Sequence, residues 1–255
     1  IFYALWVWKK LPESVPYLLA RGRVDEAHTL VSRLEAQAGL PVETEAVVAA
    51  TAPHEPIRFG QLWKPPFARR TLMLWFGIVF SYYGIFTWLP KLLVEQGHTV
   101  VKTFEYMLVM ILAQLPGYFS AAVLVERIGR KATLASFLFA CAACAWFFGQ
   151  ATTPTTILLW GSLMSFFNLG AWGVLYTYTP ELYPVRFRAF GSGWAGAIGR
   201  IGGIVAPLAV AALVGGANSF AHIFGMFTAV LLAVVVTILV LGEETRGRSL
   251  EDISD

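Results

Sequence analysis

Charged residues are scarce in this chain. Asp, Glu, Lys and Arg make up 14% of the 255 residues, whereas 57% are hydrophobic. The mean hydropathy is +0.63. Soluble globular domains carry about 25% charged residues. The composition therefore excludes an ordinary soluble domain and indicates a protein that lies mostly in lipid.

Residues that carry catalytic or metal chemistry are also few. The two cysteines, Cys141 and Cys144, lie inside an apolar run and give no disulfide framework. The four histidines fall in or beside loops without the spacing of metal ligands. The segment 191–196 matches G-x-G-x-x-G, but no strand precedes it, so it does not indicate a dinucleotide site. We therefore expect no enzyme activity, no metal, no cofactor and no nucleic-acid partner.

Six long apolar runs occupy most of the chain, and each is close to the length that crosses a hydrocarbon core of about 30 Å. They cover residues 71–89, 104–125, 132–148, 157–178, 190–214 and 220–241. Their hydrophobicity does not alternate with the period of two residues that membrane barrel strands require. The sequence therefore predicts an all-α membrane protein with six transmembrane helices in a lipid bilayer.

The other segments divide the chain into four parts. Residues 1–10 are apolar and end in two lysines, which predicts the end of a further membrane helix. Residues 11–67 are polar, and apolar side chains at helical spacing within 24–38 predict an amphipathic helix. Residues 68–242 hold the six-helix bundle, and 243–255 form a tail. Because the chain begins at Ile1 without an initiator methionine, we expect an upstream part.

Lys and Arg are concentrated in alternate loops. The loops after the second and fourth spans carry Arg127, Arg130, Lys131, Arg186 and Arg188, whereas the loops after the third and fifth spans carry neither residue type. Cytosolic loops of membrane proteins are enriched in these residues. We therefore predict that the long loop 11–67 and the C-terminal tail lie in the cytosol, with the protein in the plasma or inner membrane.

Four charged segments at the ends of predicted spans resemble the motifs of one family. The segments 12–27, 126–131 (ERIGRK), 180–188 (PELYPVRFR) and 244–251 (ETRGRSLE) are similar, in this order, to four signatures of sugar-porter-like major facilitator superfamily transporters. Two places depart from the pattern: Val15-Pro16 stands for Pro-Arg, and Glu243 stands for Pro. The chain resembles helices seven to twelve and the central loop of such a transporter.

The resemblance implies a secondary transporter that works by alternating access, with a small-molecule substrate and protons as partners. It also implies an N-terminal six-helix half that this chain lacks. The central parts of the six spans carry no Asp or Glu. We therefore expect any carboxylate that binds the coupled proton to lie in that other half.

Arg200 stands in the Gly-rich apolar run 190–214. A charge inside a membrane span is costly, and it marks a functional site. Organic-anion carriers of the same superfamily resemble this chain in having an arginine at that place, which implies that Arg200 holds a substrate carboxylate. The alternative is a structural arginine that hydrogen-bonds helix carbonyls or reaches the membrane surface.

Aromatic and amide side chains of the spans are the other candidates for a substrate site. Asn168, Trp172 and Tyr176 are spaced by four residues, so we expect them to share a helix face. Pore-lining and structural roles are equally open for each candidate. The full set of candidates is Tyr82, Tyr83, Gln114, Asn168, Trp172, Tyr176, Trp194 and Arg200.

Two further features concern helix contacts. Gly191, Ala195, Gly199 and Gly203 recur at every fourth position and predict a ridge for close helix packing. The charged side chains at the cytosolic helix ends are predicted to form a gate between the two halves, and the alternative is that they are solvated anchors. The gate candidates are Glu126, Arg127, Arg130, Glu181, Arg186 and Arg188.

The function predicted from these features is proton-coupled uptake of a small organic acid. Segment 80–84 (FSYYG) together with 180–188 looks closest to metabolite:proton symporters of the niacin or aromatic-acid type. A sugar:proton symporter is the alternative, although no glutamine occurs between Gln61 and Gln96, where sugar porters carry a pair. A non-transporting receptor or sensor on the same fold is the alternative of another class.

Overall fold

A computed structural model describes Trp6 and residues 11–20, 22–39, 67–183, 188–216 and 219–247. The predicted membrane-helix end at 1–10, apart from Trp6, and the gate candidate Arg186 lie outside these residues. The chain forms two compact units, Ile1–Pro56 and Ile57–Asp255.

The first unit contains two helices, α1 (Val15–Ala20) and α2 (Val24–Ala38), which pack on each other. The Ser14 hydroxyl accepts a hydrogen bond from the backbone N–H of Tyr17 and so begins α1. Helix α2 covers the residues predicted to be an amphipathic helix. The hydrogen bond from Arg23 lowers the pKa of the exposed Glu26 carboxyl at the first turn of α2.

The second unit contains six long helices, each long and apolar enough to cross a membrane. No strand occurs in the described residues, and the prediction of an all-α membrane protein with six spans is confirmed. The helices are α3 (Phe67–Glu95), α4 (Val100–Ile128), α5 (Arg130–Phe148), α6 (Pro154–Glu181), α7 (Arg188–Leu213) and α8 (Ser219–Leu241).

Helices α3, α4 and α6 extend beyond the apolar runs by about one turn or more at each end, and polar caps set the starts of α4 and α6. The Thr99 side chain accepts from the N–H of Lys102 at the start of α4. Thr153 and Thr156 form a reciprocal capping box at the start of α6. Hydropathy locates the membrane-crossing part of a helix, but these caps determine where the helix begins.

The six helices pack as two related sets of three. Helix α3 packs on α7 and α8, α6 packs on α4 and α5, and α5 packs on α8. Exchanging α3 with α6, α4 with α7 and α5 with α8 converts every one of these pairs into a pair of the same list. Equivalent members are three positions apart in the chain, and consecutive helices cross the membrane in alternate directions, so the two sets have opposite directions in the membrane. This is the pairing pattern of an inverted repeat.

Helices α4 and α7 occupy equivalent places in the repeat and have the most exposed surfaces. Only 28% of α4 and 22% of α7 is buried in the membrane-crossing part. On α7 the buried positions form one stripe, Gly191, Ala195, Gly199, Gly202, Ala206 and Val210. The predicted ridge is therefore confirmed as far as Gly199, but its next member is Gly202. Gly203 lies beside the stripe and is only partly buried.

Two glycines allow the closest backbone approaches. A methyl group at Gly202 would lie 2.5 Å from the Phe76 carbonyl oxygen of α3. A methyl group at Gly117 of α4 would overlap the Phe166 carbonyl oxygen of α6. The pairs α3–α7 and α4–α6 are equivalent in the repeat, and in both of them a glycine permits the close approach of the two backbones. In lipid such contacts matter because helix association rests on packing more than on the hydrophobic effect.

We predict that Gly202→Ala lowers the thermal stability of the protein in detergent by about 1–3 kcal/mol, because the methyl group forces α7 away from α3. Gly193→Ala on the same helix is the matched control, since a methyl group there meets nothing within 4 Å. Thermal unfolding of both variants checks the prediction, and equal loss in the two would contradict it.

Candidate functional site

Arg200 lies on the exposed side of α7, next to the buried Gly199. Its Nη1 donates a hydrogen bond of 3.0 Å to the hydroxyl of Tyr83 on α3. In the part of the chain that the structure describes, no carboxylate forms an ion pair with Arg200. The guanidinium therefore keeps donors available for an anion that arrives from outside the bundle.

An aromatic cluster joins α3 to α6 beside this arginine. It consists of Trp75, Tyr82 and Tyr83 on α3 with Trp172 and Tyr176 on α6. The Tyr82 ring centroid lies 5.5 Å from that of Tyr83 and 5.4 Å from that of Trp172. Trp75 lies 6.1 Å from Trp172 and 5.3 Å from Tyr176 in edge-to-face contact. These separations are those of attractive aromatic pairs, so the five rings form one continuous cluster.

Two members of this cluster are exposed. Tyr83 is 37% and Tyr176 is 52% exposed. From α4, the ring of Tyr118 covers Gly173, whose added methyl group would lie 3.0 Å from it. Tyr118 is also exposed. We call the surface that carries Tyr83, Tyr118, Tyr176 and Arg200 the open face.

The structure thus brings five of the predicted site residues together, namely Arg200 with the aromatic cluster members Tyr82, Tyr83, Trp172 and Tyr176. Sequence reasoning missed Trp75 and Tyr118. An aromatic side chain in an apolar span gives no signal that separates a site residue from core. Gly173 leaves room for the Tyr118 ring, but this relation can be recognised only once α4 is packed against α6.

The structure places the other three candidates elsewhere. Asn168 is buried, and its Nδ2 donates to Cys141 Sγ of α5 at 3.6 Å, so it faces the bundle interior and does not share the surface of Tyr176. Gln114 belongs to the buried stripe of α4. Trp194 is exposed, contacts Phe190 and lines a shallow groove near the start of α7.

A second site lies at the charged ends of the helices. Arg130, at the start of α5, donates from Nε to the two Glu181 oxygens of α6 at 3.2 and 3.1 Å. Its Nη2 lies 3.2 Å from Glu126 of α4. The Thr245 hydroxyl of the tail also donates to Glu181. We call Glu126, Arg130, Glu181, Glu244 and Thr245 the Arg130 cluster.

Glu244 caps the N-terminus of α5. Its carboxylate accepts from the backbone N–H groups of Arg130 and Lys131 at 2.8 and 3.2 Å. A carboxylate at a helix N-terminus satisfies free N–H groups and opposes the helix dipole. Gly129 permits this contact, since its φ is +97° and a side chain there would overlap the carboxylate. The capping contact joins residues more than 110 positions apart, so no local pattern predicts it.

The remaining gate candidates differ in their contacts. Arg188 Nε donates to the Pro180 carbonyl at 2.9 Å and ties the start of α7 to the end of α6. Arg127 is exposed at the end of α4. The tail residue Glu243, which departs from the family pattern, uses its backbone carbonyl to accept from the Tyr178 hydroxyl. Because that contact needs no particular side chain, the departure does not remove it.

The family model described as "Sugar (and other) transporter" matches residues 1–255. The chain belongs to this family. The resemblance to major facilitator transporters is thereby confirmed, and so is the interpretation that the chain is not an enzyme. Together with the six long apolar helices, membership identifies a multi-pass membrane protein.

Individual transporters of the family are also similar to the chain. The niacin transporter NiaP of Acinetobacter baylyi is 62% identical over 254 residues, which are 98% of this chain and 58% of the relative. A Bacillus subtilis protein named "Putative niacin/nicotinamide transporter NiaP" is 51% identical over 193 residues, 74% of this chain and 48% of the relative. The organic cation/carnitine transporter 7 of Arabidopsis thaliana is 33% identical over 210 residues, 75% of this chain and 41% of the relative.

The chain spans about half the length of the curated relatives it matches. The six long helices of this chain are consistent with that share of the length.

The Arg130 cluster allows a prediction with an internal control, because two carboxylates contact the same guanidinium. Glu181 is 19% and Glu126 is 71% exposed. We expect Glu181→Gln to lower the unfolding free energy by about 1.5–3 kcal/mol, as loss of a charge-assisted hydrogen bond does. Glu126→Gln should cost about 0–1 kcal/mol, because exposed ion pairs contribute little.

Thermal unfolding of the purified protein in detergent measures both effects. The account requires a clearly larger loss for Glu181→Gln. If Glu126→Gln lowers the unfolding free energy by as much, contact with Arg130 matters more than burial of the carboxylate, and the explanation is wrong.

Proposed function

We propose that the chain is the C-terminal half of a secondary transporter that takes up a small aromatic carboxylate, such as nicotinate, by alternating access. The observation that carries the proposal is Arg200, an exposed cation at the middle of a membrane helix, adjoining the aromatic cluster. The names of the two NiaP relatives support the choice of substrate class.

The chemistry of Arg200 suits a carboxylate. A guanidinium offers five N–H donors in a planar fork and binds carboxylates bidentately. The Tyr83 hydroxyl receives one of these donors and holds the side chain at the open face. A carboxylate bound at Arg200 would take the place of lipid or water and would face a fixed positive charge. The attraction between the two charges is strong there, because the surrounding medium has a low dielectric constant.

The aromatic cluster suits the ring of the same substrate. Tyr83 contacts Arg200, and Tyr82 and Tyr176 belong to the same aromatic cluster. Aromatic pairs are attractive beyond the area they bury. A substrate with a planar ring and one carboxylate therefore finds both parts of its structure matched on the open face. A hydroxyl-rich sugar would instead need several amide or carboxylate partners.

The sugar:proton symporter is accordingly the weaker alternative. The first membrane helix contains no glutamine between Gln61 and Gln96, and Gln114 is buried in the stripe that faces the bundle. The alternative of a receptor or sensor without transport predicts binding but no flux. Uptake measurements separate it from a transporter directly.

We further propose that the Arg130 cluster lies at the cytosolic end, where Lys and Arg are concentrated. Its contacts join α4, α5, α6 and the tail of the same bundle. In this role the cluster holds the helices of one half together, so that this half moves as a rigid body relative to the other half. A gate formed with the N-terminal half stays a prediction, as does the cytosolic position of the loop 11–67.

The test of substrate class is uptake of labelled nicotinate by vesicles that carry the full-length transporter. We predict that Arg200→Gln reduces uptake by about tenfold or more, since a hydrogen-bonded charge partner is lost. Arg200→Lys should retain part of the activity because it keeps the charge without the fork. Lys91→Gln is the control for loss of an exposed cation, because Lys91 lies at the end of α3 beside Glu95.

Competition experiments complete this test. Benzoate should inhibit uptake by the wild type, whereas nicotinamide and glucose should not, because neither carries a carboxylate. Inhibition by glucose, or full uptake by Arg200→Gln, would contradict the proposal and leave Arg200 a structural residue.

Proton coupling is a separate proposal with its own measurement. We expect an inward proton gradient to stimulate uptake and a protonophore to abolish the stimulation. The central parts of the six spans contain no Asp or Glu. No single substitution of a carboxylate at the ends of these helices should therefore remove the dependence on the gradient. Gradient-independent uptake by the wild type would refute coupling.

A further inference from the structure

The two tryptophans of the aromatic cluster have different hydrogen-bonding states. Trp75 Nε1 donates to the Thr179 hydroxyl at 2.9 Å, and that hydroxyl donates to the Leu175 carbonyl at 2.7 Å. Trp172 is only 7% exposed, and its Nε1 is buried with no acceptor among the described residues. The described residues thus supply a partner for one indole N–H and none for its neighbour.

An unpaired donor at this place needs an explanation. Most buried polar groups in proteins have a hydrogen-bond partner, and a buried donor without one destabilises the fold. An indole nitrogen is a donor only, so the missing partner is an acceptor. Asn168, four residues earlier on α6, has an unpaired Oδ1, but the two groups form no hydrogen bond with each other, and the Asn168 Nδ2 donates to Cys141 Sγ of α5.

The position of Trp172 connects this donor to the open face. Tyr82 and Tyr176 both pack on the indole, and both are partly exposed. On its other side Tyr82 contacts Tyr83, the residue that holds Arg200. Tyr82 therefore links the indole of Trp172 to the residue that positions the guanidinium.

We propose that Trp172 Nε1 donates a hydrogen bond to an acceptor nitrogen in the ring of the substrate, so that the site selects pyridine carboxylates over benzene carboxylates. The inference rests on the proposed function, because it assumes that Arg200 holds the carboxylate. The pyridine nitrogen of nicotinate is unprotonated at neutral pH and accepts one hydrogen bond. Benzoate has the same carboxylate and shape but leaves the buried donor unpaired, and sites built to pair a polar group reject analogues that lack it.

The experiment compares nicotinate with benzoate on the full-length transporter. Inhibition constants against labelled nicotinate uptake are measured for the wild type, Trp172→Phe and Trp75→Phe. The wild type should prefer nicotinate by about 3- to 10-fold, the range that one neutral hydrogen bond provides. Trp172→Phe should bring the two ligands to nearly equal affinity, mainly by weakening nicotinate. Trp75→Phe removes the indole whose donor is already paired, so it should change the affinity for both ligands by the same factor and keep the wild-type preference.

Two additional measurements distinguish a change in ligand preference from a failure of the variant to fold. Thermal unfolding is recorded for each variant, and binding of both ligands to the purified wild type is measured by calorimetry. Equal affinity of the wild type for nicotinate and benzoate overturns the inference, whatever the variants do. An unchanged preference in a folded Trp172→Phe overturns it as well.

The remaining outcomes are equally decisive. If Asn168→Leu shifts the preference as far as Trp172→Phe does, the Trp172 N–H acts through the Asn168 amide and does not bind the substrate. Uptake of neither ligand by the wild type contradicts the proposed function itself. Uptake of both without preference contradicts only the role of Trp172.

Discussion

The close approach of α7 to α3 at Gly202 determines where Arg200 lies. Helix α7 is buried along one stripe of small residues, so the fit of that stripe against α3 sets the rotation of the helix about its axis. With Gly202 against the Phe76 carbonyl, Arg200 is directed to the exposed side and reaches the Tyr83 hydroxyl. In lipid, where apolar surface gains little from burial against another helix, such packing contacts are the main source of this order.

The same constraint acts in the equivalent pair of helices. Gly117 brings α4 against the Phe166 carbonyl of α6, and this contact places the Tyr118 ring over Gly173. The open face is thus assembled from both inverted repeats, with a cation from one and tyrosines from each. Contacts at the other end of the helices are different in kind. There Arg130 and Glu244 join elements by ion pairing and capping, which suits a region outside the hydrocarbon core.

Much of the fold follows from the sequence, because hydropathy and helical spacing are local signals. They locate all six spans and α2, and they identify the small-residue ridge as far as Gly199. Properties that depend on which helix lies opposite are not predicted. Spacing by four residues puts Asn168 with Tyr176, but α5 lies near enough to bind the Asn168 amide and so directs it inwards. The roles of Tyr118 and Glu244 depend on tertiary contacts, which a single sequence does not reveal.

The central claim is that the open face binds a planar carboxylate with its charge at Arg200. The most direct test is an experimental structure of the full-length transporter with nicotinate bound. The account predicts that the carboxylate lies within hydrogen-bond distance of the Arg200 guanidinium, with the ring against the tyrosines of the aromatic cluster. A ligand bound away from this face, with Arg200 still donating only to Tyr83, would contradict it.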